Sequence, residues 1–518
     1  MCHTNQPLLI KLLFSLIGGY YRVKFKRCTQ PNSKKFPNHY KRGEQTMEIN
    51  WQPDPQVTTP LYQQISAYCR QQIQQGNWLV GEKLPAQRQL AAQFNVNRST
   101  IVTALNDLQA DGVLSSAYGD GTRVASNTWS LALDWQPYLH GQFNANLPTI
   151  QTINRLEGES YLRLSTGELA PELFPQKLVQ AKLQAITPQI TQMNYLEPLG
   201  ALNLRQALAK RLQRWHIDVQ PENILITTGS LQALDLISVA LLKPGATVYT
   251  EAATYLKSLQ VFQSAAATLT GIPQDDAGLC YWQIPPHSTT QQLLYTIPSF
   301  QNPTGSVMSL QRRQQLLQFA QKHQLPIIED TAYQELWLET PPPLPLKALD
   351  RANNVLYLGT ISKTLAPGLR IGWLVGPAAV IRRLSDVKMQ TDYGASSLAQ
   401  QLLAALLTDP AYDAYLTELR QQLRQRRDAA LASLQDYLAD VATWQIPRGG
   451  FYIWLKLAPT INVERLFQAA LKRHILFNPG TIYGTNQALR LSFAYVAPAE
   501  FRQGIAVLAQ LIKRARKD

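Results

Sequence analysis

The sequence predicts a multi-domain chain in which a small α+β unit precedes a large α/β domain, with a smaller α+β domain at the C-terminal end. Three observations predict it. At 518 residues, 45% apolar and 16% charged, the chain can bury more than one hydrophobic core. Residues 61–124 read as helices, a polar turn, a further helix and a hairpin. Between about 160 and 390, short β-rich runs alternate with helical stretches, the pattern of helices packed on a layered sheet.

The net charge of +14 invites a nucleic-acid partner, yet residues 1–46 hold nine of the basic side chains against one acidic. The apolar run Leu8 to Ile17, interrupted by Lys11, is far short of the ~20 residues that span a bilayer. Its basic residues Arg22, Lys24, Lys26 and Arg27 follow the run, where a signal peptide would have them in front. Residues 1–46 read as a disordered tail or a misassigned start, with Met47 as the beginning, and no membrane partner is expected. Cys2, Cys28, Cys69 and Cys280 are too far apart for a disulfide framework or a zinc cluster. No metal is expected, and a reducing cytoplasm is the simplest compartment.

From Leu61, apolar residues recur at Ile65 and Ile73 with Cys69 between them, one face of a helix that Gly76 closes. After Pro85 comes a short helix with Leu90, Ala91 and Phe94. A polar turn at Asn95 to Asn97 leads to a helix carrying Ile101, Ala104, Leu105 and Leu108. This is the order of a helix-turn-helix. Val113 to Val124, with Tyr118-Gly-Asp-Gly-Thr-Arg123 at its tip, reads as a hairpin wing, so residues 58–126 form the first domain. Residues 127–160 lack a clear period but hold Trp129, Trp135, Tyr138 and Phe143, a linker sticky enough to dock on a neighbour.

The run Gly81-Glu-Lys-Leu-Pro-Ala-Gln-Arg-Gln-Leu-Ala91, with Val96-Asn-Arg-Ser-Thr-Ile101, resembles the GntR-type winged helix over Pro60 to Val124. Asn97, Arg98, Ser99 and Thr100 stand at the start of the recognition helix, where side chains meet base edges and amides meet phosphate. Arg88 is placed for backbone or guanine. The resemblance puts Tyr118 and Gly119 of the wing tip along the minor groove of an operator duplex. Ala86 stands where the pattern has a capping Ser, a loss of about 1 kcal/mol, and Val102 where some relatives carry a DNA-contacting Arg. Five basic and four acidic residues over 60–126 make the domain nearly neutral, so affinity cannot rest on bulk charge. A winged helix kept for protein contact is the plainer alternative.

In the remainder, 161–518, the expected strands are Ile224 to Thr228, Thr247 to Thr250, Gln292 to Ile297, Pro326 to Glu329, Val355 to Leu358 and Ile371 to Val375. They build a large part over about 161–390. Helices with the strands Phe451 to Leu455 and Leu489 to Phe493 build a small part over about 395–518.

Thr360-Ile-Ser362-Lys363, leading into Pro367-Gly-Leu-Arg370, is the most telling tetrad. Alone, such a Lys is usually a solvated surface residue. Its company changes that. Asp330 closes an apolar strand at the end where open α/β sheets bind ligands, and Tyr333 follows three residues on. Asn302 lies in the turn Ser299-Phe-Gln-Asn-Pro-Thr-Gly305. Gly229-Ser230 joins a strand to a helix, offering amides to a phosphate. Each has a bland alternative: a capping Asp, a packed Tyr, a turn Asn, a tight Gly. Together and in this order they resemble the fold-type I pyridoxal-phosphate (PLP) enzymes of the class I aminotransferase family over roughly 160–510. With the GntR-type start, the chain is similar to the MocR subfamily of regulators.

That resemblance implies PLP as cofactor, held by Lys363 as an internal aldimine, with Asp330 keeping the pyridine nitrogen protonated. Asn302 and Tyr333 would donate to its phenolic oxygen, and Tyr255 would stack on the ring. Gly229, Ser230, Thr360, Ser362 and Arg370 would hold the phosphate. Tyr195 matches a tyrosine that reaches the phosphate of a partner subunit, implying a homodimer. Arg490 matches the arginine that grips an amino acid's α-carboxylate; its plainer reading is an exposed strand Arg. Ala253 replaces a proline often found before the stacking Tyr. The expected function is a PLP-dependent, DNA-binding transcriptional regulator that senses an amino compound or PLP itself through Lys363. The rival is a working aminotransferase with an accessory winged helix.

Overall fold

The computed structural model describes residues 49, 51–75, 77–78, 81–117, 121–125, 147–191, 193–255, 261–262, 265–286 and 288–515. The basic tail, most of the linker, and Tyr118 and Gly119 lie outside the described residues. The chain divides into two units, residues 1–135 and 136–518.

In the first unit, α1 (Leu61–Gln74), α2 (Gln87–Gln93) and α3 (Arg98–Ala110) precede a two-stranded antiparallel wing, β1 (Leu114–Ala117) and β2 (Gly121–Val124). The face anticipated for α1 is the buried one: Ile65, Cys69 and Ile73 pack with Leu90, Phe94, Ile101, Ala104, Leu105 and Leu108. Trp51 stacks on Tyr68 at 4.7 Å between ring centroids, adding apolar cover. At Ala86, which has no side chain to cap α2, the Gln89 side chain reaches back to accept the Ala86 amide at 3.1 Å. Half of the reciprocal cap therefore survives the missing Ser.

The second unit opens with α4 (Pro148–Leu156). Its sequence, PTIQTINRL, is too short to show a period within the linker, and Pro148 supplies the start signal. A seven-stranded sheet follows: β3 (Ile224–Thr227), β4 (Thr247–Glu251), β5 (Thr268–Ile272), β6 (Gln292–Thr296), β7 (Ile327–Asp330), β8 (Val355–Thr360) and β9 (Gly372–Val375). Their spatial order is β3-β9-β8-β7-β6-β4-β5. All run parallel except β9, which pairs antiparallel with both β8 and β3. Every residue of β3, β7 and β8 is buried, as a sheet covered on both faces requires. Two bounds differ from the sequence expectation in a useful way: β7 extends to Asp330 and β8 to Thr360, so both residues close their strands. Strand β5, with the sequence TLTGI, gave no strand signal; it is the partly exposed edge.

Helices α5 (Ser230–Leu241), α6 (Leu310–Lys322) and α7 (Ala378–Thr391) accompany the sheet. The 29-residue α8 (Pro410–Leu438), begun by Pro410 and an Asp409 side chain that accepts the Ala411 amide, leads to the smaller part. There β10 (Ala442–Trp444), β11 (Tyr452–Leu457), β12 (Asn478–Pro479) and β13 (Ala488–Ser492) form an antiparallel sheet ordered β10-β11-β13-β12, and α9 (Pro498–Ala515) packs on α8. Among the described residues no helix is long and apolar enough to cross a membrane and no acidic, Cys and His cluster could hold a metal.

Gly359 in β8 lies against the Trp373 indole, and a β-carbon there would collide with the ring. Gly359→Ala is expected to cost about 1–3 kcal/mol by overpacking, read as a lower calorimetric midpoint for the second unit. An unchanged midpoint would mean that Trp373 swings aside without loss.

Candidate functional site

Parallel strands deliver their carboxyl ends to one edge of the sheet, and there the second unit has a cavity of about 330 Å³. Lys363, Asp330, Tyr333, Asn302, Tyr255, Ser230, Thr360, Ser362, Arg370 and Arg490 all line it. Residues spread over 260 positions of sequence thus meet at one place.

Asp330, at the end of β7, is 7% exposed; its carboxylate accepts the Tyr295 hydroxyl at 2.6 Å and the Ala332 amide at 3.0 Å. Burial raises its pKa above the ordinary 3.8, with the Tyr295 hydrogen bond, the Ala332 amide and the charge of Lys363 opposing that. Lys363 Nζ donates to the Gly167 carbonyl at 2.7 Å.

The turn between β3 and α5 carries Gly229, with φ +83°, where a β-carbon would lie 2.6 Å from Arg370 Nη2. Only glycine permits both that backbone and the guanidinium's approach. No side chain caps α5, so its first amides are open to an anion. Arg370 itself has φ +54° and donates to the Thr228 carbonyl at 3.4 Å. Thr360 and Ser362 hydroxyls are 3.0 Å apart.

Arg490, on β13, is 4% exposed, so its reading as an exposed strand Arg fails. It donates to Asn302 Oδ1 at 2.9 Å and to the Ser165 carbonyl at 2.8 Å, and lies 3.9 Å from the Tyr452 ring centroid. Burial alone would lower its pKa, but the phenols of Tyr452, Tyr483, Tyr333 and Tyr255 outweigh that and hold it up. Its Nε has no hydrogen-bond partner. Tyr333 hydroxyl sits 3.0 Å from that of Tyr452 and accepts from Asn302 Nδ2 at 3.4 Å. Burial pushes the Tyr255 phenol up to about 12.

Tyr195 does not line the cavity. It is 83% exposed and its ring lies 5.3 Å from that of Tyr393. Among the cavity residues that sequence reasoning missed are Glu157, Ser165, Thr166, Gly167, Glu168, Tyr452 and Asn478. Only Tyr452 had a local signal, the Gly449-Gly450 pair just before its strand; the others reach the cavity through long-range packing.

In the first unit Arg88 on α2 is exposed, as are Asn97, just before α3, and Arg98 and Ser99 in its first turn, while Thr100 is half-buried. Asn97 makes no side-chain cap bond, and Arg98 Nη2 donates to Gln87 Oε1 at 3.2 Å.

A family model described as aminotransferase class I and II matches residues 159–508, and one of bacterial regulatory proteins of the gntR family matches 61–124. The chain belongs to both families. This pairing is that of the MocR-type regulators. Among curated proteins, the uncharacterized HTH-type transcriptional regulator YisV of Bacillus subtilis is 46% identical, over 90% of this chain and 98% of its own length. The HTH-type transcriptional regulator NorG of Staphylococcus aureus is 32% identical over 83% of this chain and all of its own. Among solved structures, the multiple substrate aminotransferase of Thermococcus profundus superposes with TM-score 0.70 and 28% identity, covering 74% of this MocR-type chain and 100% of its own. The kynurenine aminotransferase of Pyrococcus horikoshii gives 0.68 and 32%, covering 73% and 96%.

PLP is the cofactor of this fold, and the residues present fit it. A buried carboxylate at a strand end suits a protonated ring nitrogen. The cradle that a Gly229 side chain would fill, beside Arg370 and uncapped amides, suits a phosphate. Lys363 offers the amine.

Asp330→Asn separates stability from binding. Because the wild-type carboxyl's pKa is raised on folding, its contribution to stability is intact below the ordinary 3.8 and is lost as pH rises through the folded value. Cofactor-free D330N is expected to melt above the wild type at pH 7, with the gap closing towards pH 4, while PLP binding weakens at least about tenfold. A lower melting point for D330N at pH 7 would contradict the sign.

Proposed function

We propose that this chain is a PLP-dependent, DNA-binding transcriptional regulator whose aminotransferase-like unit senses an amino compound or PLP itself. The observation that carries this reading is the joining, in one chain, of a GntR-type helix-turn-helix with exposed Arg88 and Arg98 to a cavity lined by Lys363, Asp330, Asn302, Tyr333, Tyr255, Ser230, Thr360, Ser362 and Arg370. PLP supplies an aldehyde that bonds reversibly to amines and a ring that withdraws electrons.

The chain's own residues do the rest. Lys363 Nζ would supply the amine that holds the cofactor, and would be the group an incoming amine competes with. Asp330 would hold a proton at the ring nitrogen, Asn302 and Tyr333 would donate to the phenolic oxygen, and Tyr255 would pack on the ring. Gly229, Ser230, Thr360, Ser362 and Arg370 would hold the phosphate. Arg490 takes the carboxylate of the incoming compound, a bidentate task its free Nε favours. Release of Lys363 and closure over the ligand would favour one of two protein states; only differential binding to those states can change DNA affinity.

A homodimer would cover the exposed apolar side chains Met193, Tyr195, Val239 and Tyr393 and bring Tyr195 to the partner's phosphate site. The cytoplasm, where DNA and PLP are both present, is the compartment this reading requires. On DNA, Asn97, Arg98, Ser99 and Thr100 would read the major groove with Arg88 beside them, and Tyr118 and Gly119 would follow the minor groove.

The complete lysine, aspartate and arginine set also suits a working aminotransferase, the second reading. One experiment tests both: the absorbance of the purified protein with PLP, alongside binding to the DNA upstream of its own gene with and without PLP and amines. A PLP band that Lys363→Ala abolishes, with DNA affinity shifted at least about fivefold by PLP or an amine, is the expected result. Turnover of amino donor and keto acid at ~1 per second or faster without DNA binding would establish the enzyme instead.

A further inference from the structure

Resting on that reading, the charges of the cavity go further and define which amino compound fits. Six charged residues line it: Lys363, Arg370, Arg490, Asp330, Glu157 and Glu168. The cofactor's amine link, phosphate and ring nitrogen account for Lys363, Arg370 and Asp330, and a ligand's α-carboxylate for Arg490. Glu157 and Glu168 remain, both acidic, and no cation is left over.

Glu157 is built into the wall. It is the residue that ends α4, whose last turn supplies Ile153 and Asn154 to the cavity, so the negative end of the helix dipole borders it too. Its Oε1 accepts two buried hydroxyls, Ser165 and Thr166, each at 2.8 Å. Thr166 Oγ1 in turn accepts Arg163 Nε at 3.1 Å, which turns its proton towards Glu157. Among the described residues no Lys or Arg makes an ion pair with Glu157. Ser165 joins the two ends of the pocket, giving its hydroxyl to Glu157 and its carbonyl to Arg490.

An independent observation points the same way. Asn478 sits opposite Arg490 in the β12–β13 register, lines the cavity and is 9% exposed. Its Nδ2 is spent on the Tyr483 hydroxyl at 2.8 Å, and its Oδ1 is buried with no hydrogen-bond partner. A buried acceptor without a donor is costly until a ligand supplies one.

We propose that the site selects an amino acid carrying a second, cationic group at its far end, with Glu157 as the specificity-determining residue and Asn478 Oδ1 as a further acceptor. A dicarboxylate would place its second charge against Glu157 and Glu168 with no cation to meet it; a neutral side chain would leave the acceptors unpaired.

The test uses the PLP-loaded full-length protein, titrated with L-lysine, L-norleucine and L-2-aminoadipate, which differ only in the terminal group, and followed by the absorbance of the bound cofactor. L-lysine is expected to half-saturate at least about fivefold below L-norleucine, with L-2-aminoadipate weakest. In Glu157→Gln the lysine-to-norleucine ratio should fall to about one. The wild-type order alone decides the matter if the variant folds poorly: preference for L-2-aminoadipate, or equal response to lysine and norleucine, overturns the specificity. A lysine preference that survives intact in E157Q removes Glu157 from it. If none of the three alters the spectrum although the cofactor band is present, amine sensing itself fails, and the specificity with it.

Discussion

A carboxylate taken out of water at the end of a central strand is the constraint on which the site depends. An ion in that position costs several kcal/mol unless hydrogen bonds and a counter-charge meet it. Asp330 has the Tyr295 hydroxyl from β6 and the Ala332 amide from its own turn, which ties two neighbouring strands together at their carboxyl ends. The same need recurs beside it. Glu251 accepts the Thr296 hydroxyl and the Ile297 amide, and Glu329 accepts the amides of Leu346 and Lys347. Arg313, fully buried in α6, donates to the carbonyls of Met308, Pro298 and Leu344 and to Ser299. These bonds anchor the turn that presents Asn302. The polar groups are thus positioned by bonds that would be left broken, at a cost of about 1–3 kcal/mol each, if the strand ends shifted.

The cavity is shared between the large sheet and the small one. Lys363, Asp330 and Asn302 come from the first; Tyr452, Asn478 and Arg490 come from the second. Arg490 bonds Asn302 across that boundary, and the Tyr333 and Tyr452 hydroxyls meet across it. A ligand carboxylate that claimed Arg490 would compete with Asn302 and the Ser165 carbonyl, so binding would rearrange contacts between the two parts. Such exchange of partners is the differential interaction that a sensor needs. Helix α4, the first described element of the second unit, ends at this same boundary through Glu157 and Ser165.

At the other end of the chain the near-neutral winged helix shifts weight from bulk charge to particular contacts. Its ordered core of Ile65, Leu90, Ile101 and Leu108 sets α2 against α3, leaving Arg88, Arg98 and Ser99 exposed. With few phosphate-neutralising charges, non-specific binding to DNA would be weak, and a modest conformational bias would be enough to alter occupancy.

Local pattern determined much of this protein. Apolar spacing located α1 to α3, short β-rich runs located six of the seven large-sheet strands, and the short motifs around Asn302, Asp330 and Lys363 carried the family resemblance that implied one cofactor, because each such feature is written in a few contiguous residues. Edge strand β5 and helix α4 escaped, the one polar and glycine-containing, the other too short for a period to show. Arg490 could be read as exposed or buried until β13 was placed in the small sheet. Glu157, Ser165 and Asn478 became site residues only through tertiary structure, since a hydrogen bond between residues far apart in sequence leaves no local trace. The sequence by itself determined most of the elements and, through its family resemblance, pointed to the cofactor; packing decided which charges remain unpaired in the cavity, because burial and partnership are properties of the folded surroundings and not of the residue.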